Sequence, residues 1–588
     1  MSKRLLLLIL AIPLLVGLAG GCASGPTRSP APGPDWSRGV VIGESSLNDL
    51  VALCPEPSGR GACLAWSQMA AEGDHIHYVE LNERAEPLQD RVLALPVHSP
   101  RQIRLLPAGD GSLLLCYLSG VSEKRRLFAA HLSPSGDLLG EPLQASDPEL
   151  EVSEYAAAAD AAGLEIVWSH NGPEDPGLYH LRLDSGGRPL APSKLIVPGG
   201  ISPSVQAGAD GLLHLSWVQE PSPGELLVYY APLDPRRQML GTPRQVGSFA
   251  LSPKATRYGP ELGLSKDRIY IYWSWEALAG GPATEAGEAE CHYVALPFGA
   301  SQPSEERLLA LPSAARPAYQ PAQGAFAYSQ LAPSQGRASS LVYMPSPLPG
   351  QPEEAALGVA FEAATRNKSY IEIGVVYLDG GTIKGYQVAG RDSTLTMRPV
   401  LRADQNKQLH VAWLQPAGFH HYAVYYASTS PTVRTALGRW NRQDLIDGAF
   451  SVVWTLVQGV SMFPLALVWL FLPLVWVTGY YVVRADGELD RRGPQVALAI
   501  AIALYTFAKF FLLPAGFMGA APFVDRLSPG LGGAIVVVLP LAILAIALGA
   551  AWLYIKRSDA RSLFIAYLVF GLTDCLLTFL LYGPGILG

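Results

Sequence analysis

The chain has 588 residues, too many for one ordinary hydrophobic core, so several domains or a large repeat array are expected. Apolar residues make up 49% of the chain and charged residues 16%, and the apolar excess lies mostly at the two ends. This distribution indicates a membrane protein with a soluble middle region. The net charge of −7 is mild and no long basic tract is present, which argues against nucleic acid as a partner.

Residues 1–21 have the pattern of an export signal. Two basic residues precede an apolar run from Leu5 to about Leu18, and small residues follow up to Cys22. The stretch LAGGC resembles a bacterial lipoprotein signal, and this resemblance implies that Cys22 carries a lipid after cleavage. An ordinary cleaved signal and an uncleaved anchor helix remain as alternatives. Residues 22–35 are rich in Gly, Ser and Pro and are predicted to form a flexible linker.

The chain contains six cysteines, and one pair is placed to form a disulfide. Cys54 and Cys63 flank the turn-forming segment PEPSGRG, which can bring two adjacent strands together, and we predict a bond between them. Cys116, Cys291 and Cys575 are too scattered for a metal cluster and are interpreted as buried apolar residues. Neither a metal site nor a cofactor is predicted.

From about residue 60 to residue 430 the chain repeats one unit with a period of roughly fifty residues. An apolar strand ends in an aromatic residue, and a second aromatic strand follows, as in LLHLSW ending at Trp217 and LLVYY ending at Tyr230. The first aromatic residues of the copies are Trp66, Tyr117, Trp168, Trp217, Trp273, Phe361 and Trp413. The second are Tyr78, Phe128, Tyr179, Tyr229, Tyr293, Tyr377 and Tyr425.

Such a period predicts an all-β propeller over residues 36–433, because one small sheet cannot bury both of its faces without neighbours. Turns rich in Asp and Gly predict hairpins, and a further strand before each first aromatic completes a four-stranded blade. We predict about seven blades, with six or eight as alternatives. The segment from Val40 to Gly43 is expected to pair with the last blade and close the ring.

The repeated aromatic residues are interpreted as packing core rather than as a ligand site. His214 and His410 occupy matching positions in two copies, which favours a structural role because a catalytic histidine has no reason to recur in each blade. The spacing breaks between Trp273 and Phe361, where we expect an enlarged sixth blade or an extra one.

The segments from Ser202 to Asp234 and from Arg398 to Ser428 resemble the repeats of sialidase-like, or BNR-like, propellers of exported bacterial proteins. The resemblance implies a propeller that binds carbohydrate or protein. The Ser-x-Asp-x-Gly-x-x-Trp box of sialidases is absent from the sequence, and neither an arginine triad nor a nucleophile pair can be assigned. No catalytic residue is therefore predicted. The carboxylates in or beside predicted strands are interpreted as solvated surface: Glu165, Asp267 and Glu362.

Residues 434–448 are predicted as a juxtamembrane linker, and residues 449–588 as a bundle of about four transmembrane helices. The predicted spans are 450–483, 495–515, 532–555 and 562–582, each long enough to cross a bilayer core of about 30 Å. The first run is too long for one perpendicular crossing. It is either one kinked span or an interfacial segment followed by a span from about Pro464.

Basic residues predict the orientation of the spans. They are concentrated between the first and second spans and between the third and fourth: Arg484, Arg491, Arg492, Lys556, Arg557 and Arg561. Both loops are expected to be cytoplasmic by the positive-inside rule. The propeller would then lie outside the cell membrane, in agreement with the export signal.

Two ionisable residues, Lys509 and Asp574, lie inside the apolar spans. Both spans run outward from the predicted cytoplasmic side, so the two side chains fall at similar depth. A buried ion pair would lower the cost of burying each charge. The alternatives are that Lys509 reaches the outer interface while Asp574 is protonated or hydrogen-bonded, or that the two residues serve transport.

The pattern as a whole favours a membrane-anchored propeller that binds a protein or a glycan outside the cell and is not an enzyme. One alternative is an extracytoplasmic glycan-active hydrolase of the sialidase-like class. A second is a transport or sensing membrane protein with the propeller as its receptor. Membrane lipid is an expected partner in all three.

Overall fold

The computed structural model describes residues 32–56, 61–70, 73–121, 124–160, 163–277, 288–300, 305–312, 319–321, 329–331, 338–339, 342–364, 369–389, 395–418, 420–438, 467–484, 486–512 and 529–587. The chain divides into two compact units. One is Ser29–Arg439, and the other consists of Met1–Arg28 and Trp440–Gly588.

The unit Ser29–Arg439 is a β-propeller of seven blades, as predicted. Each blade is an antiparallel sheet whose strands follow one another from the centre outwards. The strands of the first three blades are β2 Ala52–Pro55, β3 Ala62–Ala70, β4 Gly73–Leu81 and β5 Pro87–Val92 in blade 1; β6 Arg101–Pro107, β7 Leu113–Ser119, β8 Arg126–Leu132 and β9 Leu143–Gln144 in blade 2; and β10 Glu154–Asp160, β11 Gly163–His170, β12 Gly177–Leu183 and β13 Lys194–Pro198 in blade 3.

The next two blades contain the following strands: β14 Ile201–Ala207, β15 Leu213–Ser222, β16 Glu225–Asp234, β17 Met239–Leu240 and β18 Arg244–Ala250 in blade 4; and β19 Ala255–Leu264, β20 Arg268–Ala277, β21 Glu288–Pro297 and β22 Arg307–Leu308 in blade 5. Both β17 and β18 pair with β16. A separate two-stranded ribbon follows blade 5, formed by β23 Leu311–Pro312 and β26 Ala338–Ser339.

Blade 6 is enlarged, which is one of the two arrangements expected from the break in the repeat. Two short strands extend its outer edge beyond the usual four, so that the sheet has six strands. Its strands are β27 Val342–Pro347, β28 Ala355–Ala364, β29 Ser369–Asp379, β30 Thr382–Ala389, β25 Ser329–Leu331 and β24 Tyr319–Pro321.

Blade 7 closes the ring, because its outermost strand comes from the start of the propeller. Its strands are β31 Met397–Ala403, β32 Leu409–Gly418, β33 His421–Ser428 and β1 Val40–Ser45. β1 pairs antiparallel with β33, with Val40 opposite Tyr426. The backbone N–H of Ser37 also donates to the carbonyl of Ser428 at 2.9 Å. The prediction that the segment from Val40 closes the ring is confirmed.

The innermost strands of the seven blades form a continuous ring of neighbours in the order β2, β6, β10, β14, β19, β27 and β31, after which β31 contacts β2 again. Each blade therefore packs between two others, and the alternating apolar side chains of both of its faces are covered. The seven innermost strands thus surround the axis of the propeller, where propellers have their central channel.

The repeated aromatic residues pack in the interior, as predicted, and stack mainly across neighbouring strands of one blade. All five tryptophans of the series are at most 1% exposed. Stacked pairs of first and second aromatic residues occur in four blades: Tyr117 with Phe128, Trp168 with Tyr179, Trp217 with Tyr229 and Trp413 with Tyr425. In blades 1 and 5 the partner is instead a histidine, His77 against Trp66 and His292 against Trp273.

Two tryptophans also connect neighbouring blades by packing on a glycine. A Cβ atom built on Gly43 in β1 would lie 2.6 Å from the ring of Trp66 in blade 1. A Cβ atom built on Gly247 in β18 would lie 2.5 Å from the ring of Trp273 in blade 5. The absence of a side chain at these positions allows the ring to contact the backbone of the preceding blade.

His214 and His410 have the same contacts in blades 4 and 7. Nδ1 of His214 lies 2.8 Å from the hydroxyl of Tyr230, and Nε2 lies 3.6 Å from a carboxylate oxygen of Asp210. For His410 the matching distances are 2.6 Å to Tyr426 and 3.6 Å to Asp404. Each histidine lies on the second strand of its blade and contacts the third strand and the turn after the first strand. These contacts support the structural role that the recurrence of the two histidines predicts.

The second unit contains four helices within the described residues. They are α2 Leu467–Arg484, α3 Arg492–Leu512, α4 Pro529–Arg557 and α5 Leu563–Leu587; a short helix at the end of the propeller unit, α1, is Pro431–Leu437. α5 contacts each of the other three long helices. The first predicted span begins at residue 450, and its part before Leu467 lies outside the described residues.

The two basic loops lie at the same end of this unit. The N–H of Leu489 donates to the carbonyl of Arg561, and the N–H of Leu563 donates to the carbonyl of Gly487, both at 2.8 Å. Nη1 of Arg561 lies 2.6 Å from a carboxylate oxygen of Asp490. The loops after α2 and after α4 are therefore joined to each other, as the distribution of arginine and lysine predicts for two loops on one side.

Two helical segments of the described chain are long and apolar enough to cross a membrane: Val538–Arg557 and Leu563–Tyr582. Their mean hydropathies are 2.3 and 2.1. A third apolar segment, Trp469–Arg484, is shorter. The four-span arrangement and the side on which the propeller lies stay predictions.

Replacement of Gly247 by valine should destabilise the propeller. The added side chain would overlap the ring of Trp273, and overpacking of this kind costs typically about 1–3 kcal/mol. Tryptophan fluorescence during denaturant unfolding of the full chain measures the change. Gly140→Val is the matched control, because no atom lies within 4 Å of a Cβ built on Gly140. Equal loss of stability in the two variants would contradict this account of the blade contact.

Acid should destabilise the propeller through His214. Burial lowers the pKa of His214 below its ordinary value of 6.5, although Asp210 acts in the opposite direction. Protonation is thus disfavoured in the folded state, so this stability is complete above about pH 6.5 and is lost as the pH falls through the lowered pKa. Between about pH 7 and pH 5, His214→Gln should lose less unfolding free energy than the unsubstituted protein.

The control for this experiment is His98→Gln, because the side chain of His98 is 70% exposed. This variant should show the pH dependence of the unsubstituted protein. The same acid-induced loss in His214→Gln and in the unsubstituted protein would show that His214 is not the responsible group.

Candidate functional site

A recurring β-bulge shapes the innermost strands that line the channel. In five blades the pairing register shifts at the same level, between Arg101 and Arg104, Ile201 and Ser204, Tyr258 and Glu261, Tyr343 and Ser346, and Met397 and Val400. One residue within each bulge has a left-handed φ between 49° and 87°: Gln102, Ser202, Gly259, Met344 and Arg398. Because a bulge redirects the side chains beside it, this level can present polar groups that regular alternation would turn elsewhere.

Three polar side chains from successive blades form a chain of hydrogen bonds at this level. The hydroxyl of Ser202 on β14 donates to Oε2 of Glu154 on β10 at 2.5 Å. Nη2 of Arg257 on β19 donates to the Ser202 hydroxyl. The contacts connect blades 3, 4 and 5 and hold the Glu154 carboxylate at the start of its strand.

A second group lies where blades 5 and 7 begin. The guanidinium of Arg398 lies over the ring of Tyr258, 5.3 Å from its centre, and its Nε donates to Oδ1 of Asn48 at 3.3 Å. The hydroxyl of Tyr258 donates to Oε2 of Glu276 at 2.8 Å. Burial raises the pKa of Tyr258 above its ordinary value, so the phenol remains a donor.

Further along the strands, the charges of Glu261, Arg104 and Arg402 act on one another. Glu261 on β19 interacts electrostatically with Arg104 on β6, Arg402 on β31 and Glu154 on β10. None of these strands neighbours β19 in the ring, so the interactions cross the channel. Ser204 on the neighbouring β14 donates a hydrogen bond to Oε2 of Glu261 at 3.3 Å.

Burial and charge change the acid–base properties of this group. Burial raises the pKa of Glu261 above its ordinary value, although Arg104 and Arg402 act in the opposite direction. Burial, together with the like charge of Arg104, lowers the pKa of Arg402 to about 10. Arg402 donates to the carbonyl of Leu401 at 2.8 Å. Nε of Arg104 is buried and has no hydrogen-bond partner among the described residues.

This arrangement can bind a polar ligand. The channel offers carboxylates as acceptors, guanidinium groups and hydroxyls as donors, and tyrosine rings, and it draws them from blades 2, 3, 4, 5 and 7. A concave site with a few convergent polar groups is the usual form of a small-molecule site. Within the described part of the chain, no group of three His, Cys, Asp or Glu side chains is placed to hold a metal ion.

Sequence reasoning assigned none of these channel residues. One signal in the sequence could have found them, because a proline follows the left-handed residue in four of the five bulged strands: Pro203, Pro260, Pro345 and Pro399. The next residue is then Ser204, Glu261, Ser346 or Val400. Proline in a sheet is expected on an edge strand or at a bulge, since it cannot donate to the ladder, and these innermost strands are edge strands with a bulge.

The interpretation of Glu165 as solvated surface is wrong. Its side chain is fully buried in blade 3, where Oε2 lies 2.9 Å from Nε2 of His180 and Oε1 lies 2.8 Å from Nε of Arg182. Two basic partners on β12 allow the carboxylate to be buried. Asp267 is exposed in a turn, 3.3 Å from Arg268, as expected, and Glu362 is partly exposed.

A second polar cluster lies inside the helical unit, around Lys509 on α3 and Asp574 on α5. Nζ of Lys509 lies 2.5 Å from Oδ2 of Asp574 and 2.8 Å from Oγ1 of Thr578. The hydroxyl of Tyr505 donates to the same Oδ2 at 2.7 Å and lies 3.2 Å from Sγ of Cys575. Lys509 is 4% exposed and Asp574 is fully buried. The structure thus brings the two predicted partners together.

Cys54 and Cys63 are directly opposite each other on β2 and β3, as the turn between them predicts. Both are free thiols in the structure, so the disulfide stays a prediction. Sγ of Cys54 lies 3.7 Å from the carbonyl of Pro55, and Sγ of Cys63 lies 3.8 Å from that of Pro134. Burial raises the pKa of each thiol to about 12.

The remaining cysteine interpretations have different outcomes. Cys116, Cys291 and Cys575 are buried, as predicted for apolar residues of the core. The proposed lipidation site, Cys22, lies outside the described residues.

Removal of one partner of the buried pair should cost more than removal of both. Lys509→Met leaves the Asp574 charge uncompensated in the interior, a loss of typically about 3–5 kcal/mol. The double variant Lys509→Met/Asp574→Leu should recover most of this stability, which denaturant unfolding in detergent measures. Arg561→Met is the control and should cost about 1 kcal/mol or less, because its partner Asp490 is 60% exposed. A double variant as unstable as Lys509→Met would contradict the pairing.

No protein-family model and no curated protein matches the chain. Similar solved structures include a polysaccharide lyase, the PL25 ulvan lyase bound to GlcA(1-4)Rha3S, with a TM-score of 0.42, 11% identity and coverage of 66% of this chain and 95% of that one. The GH93 α-L-arabinofuranosidase of Fusarium graminearum has a TM-score of 0.36 and 10% identity over 67% and 98% of the two chains. A puromycin-hydrolysing peptidase of Mycobacterium tuberculosis has a TM-score of 0.36 and 14% identity over 65% and 53%. Similarities at this level support no conclusion about the activity or ligand of this chain.

Proposed function

We propose that this protein is a membrane-anchored protein of the cell envelope whose propeller binds a glycan in its central channel. The observation that carries the proposal is the convergence of arginine, glutamate, serine and tyrosine side chains on the innermost strands of five blades. A structural core does not need these groups, since burying them lowers stability unless each finds a partner.

The chemistry of the channel suits a sugar. Each sugar hydroxyl both donates and accepts a hydrogen bond, so its site needs acceptors and donors side by side. Glu154 and Glu261 supply acceptors, while Arg104, Arg257 and Arg402 supply donors. The hydrogen bonds among Glu154, Ser202 and Arg257 hold these three side chains in one orientation before a ligand arrives, which reduces the entropy lost on binding.

Arg104 and Arg402 favour a glycan that bears acid groups. They lie on β6 and β31, the two neighbours of β2 in the ring, close enough for each charge to affect the other. A carboxylate or sulfate ester between them would relieve this repulsion and would find the buried Nε of Arg104 available.

The helical unit supports membrane anchoring. Two of its segments are long and apolar enough to span a bilayer, and its two basic loops are joined at one end. By the positive-inside rule, we place that end in the cytoplasm. The propeller precedes the first helix and would then be extracytoplasmic, in keeping with an export signal and lipidation at Cys22.

A glycan-active hydrolase is the second candidate. Glu154 and Glu261 lie on β10 and β19, which flank β14 on its two sides. Burial raises the pKa of Glu261 above its ordinary value, which is the direction that a general acid requires, and Glu154 would supply the second carboxylate.

Arg104→Met should weaken binding of the preferred glycan about tenfold or more, since a hydrogen bond to a charged group contributes roughly 1.5–3 kcal/mol. The full chain in lipid nanodiscs is screened against neutral, uronate-containing and sulfated oligosaccharides, and the dissociation constant is measured for the best ligand. Arg84→Met is the control. Arg84 is exposed in the turn between β4 and β5, away from the innermost strands, so this variant should bind as the unsubstituted protein does.

The same oligosaccharides are followed for cleavage. Binding without release of new reducing ends supports the binding module, whereas release that is lost in Glu261→Gln supports the hydrolase. If Arg104→Met and Arg84→Met have equal affinity for the oligosaccharide, the channel is not its binding site. No affinity for any oligosaccharide, together with specific capture of an envelope protein, would replace the glycan by a protein partner.

A further inference from the structure

Of the two oxygens of the Asp574 carboxylate inside the helical unit, only one has hydrogen-bond partners among the described residues. Oδ2 accepts from Lys509 at 2.5 Å and Tyr505 at 2.7 Å, and Thr578 Oγ1 lies 3.4 Å from it. Oδ1 is buried and has no hydrogen-bond partner among the described residues. Three groups therefore surround one oxygen of a carboxylate that is fully buried.

The unpaired oxygen adds to the free-energy cost of burying this carboxylate. A buried polar atom without a partner costs about 1–3 kcal/mol, and nearly all such atoms in proteins are paired. In hydrocarbon the cost is not relieved by bulk water, and charged side chains within membrane segments usually mark proton or ion pathways. The unpaired oxygen, Oδ1 of Asp574, is therefore the atom at which a ligand of this cluster would bind.

The smallest occupant that fits the chemistry is a proton. We propose that the cluster of Tyr505, Lys509, Asp574 and Thr578 is a proton-binding site of the helical unit, and that Oδ1 of Asp574 takes the proton. This inference concerns the second unit and does not depend on the glycan proposal.

Binding of the proton forms one O–H bond at Oδ1 and removes the negative charge of the carboxylate. The ammonium group of Lys509 keeps its charge, so the net charge of the cluster rises from zero to one. Oδ2 becomes the carbonyl oxygen of a carboxylic acid and can still accept from Tyr505 and Lys509. No existing hydrogen bond has to break, because the proton adds to the oxygen that has none.

Thr578 has a clear part in this scheme. Its Oγ1 accepts from Nζ of Lys509 at 2.8 Å, so the ammonium group keeps a strong acceptor when Asp574 becomes neutral. Residue 578 is one helical turn beyond residue 574, which places both side chains on the same face of α5. The site can therefore hold the lysine in both protonation states.

The other groups that face Asp574 are few. Lys509 and Tyr505 come from α3, Cys575 and Thr578 come from α5, and Cys575 in turn interacts with the Trp469 indole on α2. The described side chains of α4 place no titratable group against the cluster, since its Tyr554, Lys556 and Arg557 lie at the basic end. Protonation of Asp574 would change the charge at the contact between α3 and α5. The helical unit would respond to pH through this contact.

The test is an infrared titration of the full chain in lipid vesicles, with aspartate labelled by carbon-13 at the side-chain carboxyl. Between about pH 9 and pH 5.5, where exposed aspartates remain ionised, the protonated-carboxyl band gained by the unsubstituted protein should exceed that gained by Asp574→Asn by the amplitude of one group. Tyr505→Phe should shift the frequency of this band, because Oδ2 then loses a donor. Asp490→Asn is the control, since Asp490 is exposed beside Arg561 and should leave the band unchanged.

Two outcomes would overturn the proposal. One is that Asp574→Asn removes no band at any pH, which would mean a permanently charged pair. The other applies if Asp574→Asn fails to fold: a titrating band whose frequency is the same in the unsubstituted protein, Tyr505→Phe and Thr578→Val does not come from this cluster. A frequency shift in these two folded variants supports the proposal without Asp574→Asn.

Discussion

The antiparallel pairing of β1 with β33 is the constraint on which the propeller depends. It joins residues at the two ends of the unit, and blades 1 and 7 have both faces covered only when the ring is complete. Closure also determines the site, because it brings seven innermost strands around one channel. Charges on strands that are not neighbours, such as those of Glu261 and Arg104, can act on one another only because the ring is complete.

The propeller separates its recurring residues from its variable ones. Tryptophans recur at one position of the second strand, and His214 and His410 recur with the same tyrosine and aspartate partners, as expected for residues that maintain the fold. The level of the β-bulge recurs in five blades, but the residue after it differs, being arginine, serine or glutamate at Arg104, Ser204 and Glu261. The same backbone feature thus presents different chemistry in different blades, which is how a repeated scaffold can form an asymmetric site.

The two units bury charge under different conditions. Glu165 in blade 3 has a basic side chain within 2.9 Å of each of its oxygens, His180 at Oε2 and Arg182 at Oε1. Asp574 in the helical unit has its donors at one oxygen only. The basic partners of a buried carboxylate thus contact both of its oxygens in the propeller, whereas the donors contact a single oxygen in the helical unit.

The sequence by itself determined the repeat, the approximate blade count, the strand that closes the ring and the helical region, because periodicity and apolar runs are properties of local sequence. It also brought Lys509 and Asp574 to similar depth, because helical rise converts residue number into distance. It could not identify Glu154, Arg104, Glu261 or Arg402 as one group, because they come from four blades and no spacing relates them. Only the closed ring decides that these side chains meet, just as only the packing of α3 against α5 decides which oxygen of Asp574 is left bare. Both decisions depend on contacts between residues far apart in the chain, where local patterns hold no information.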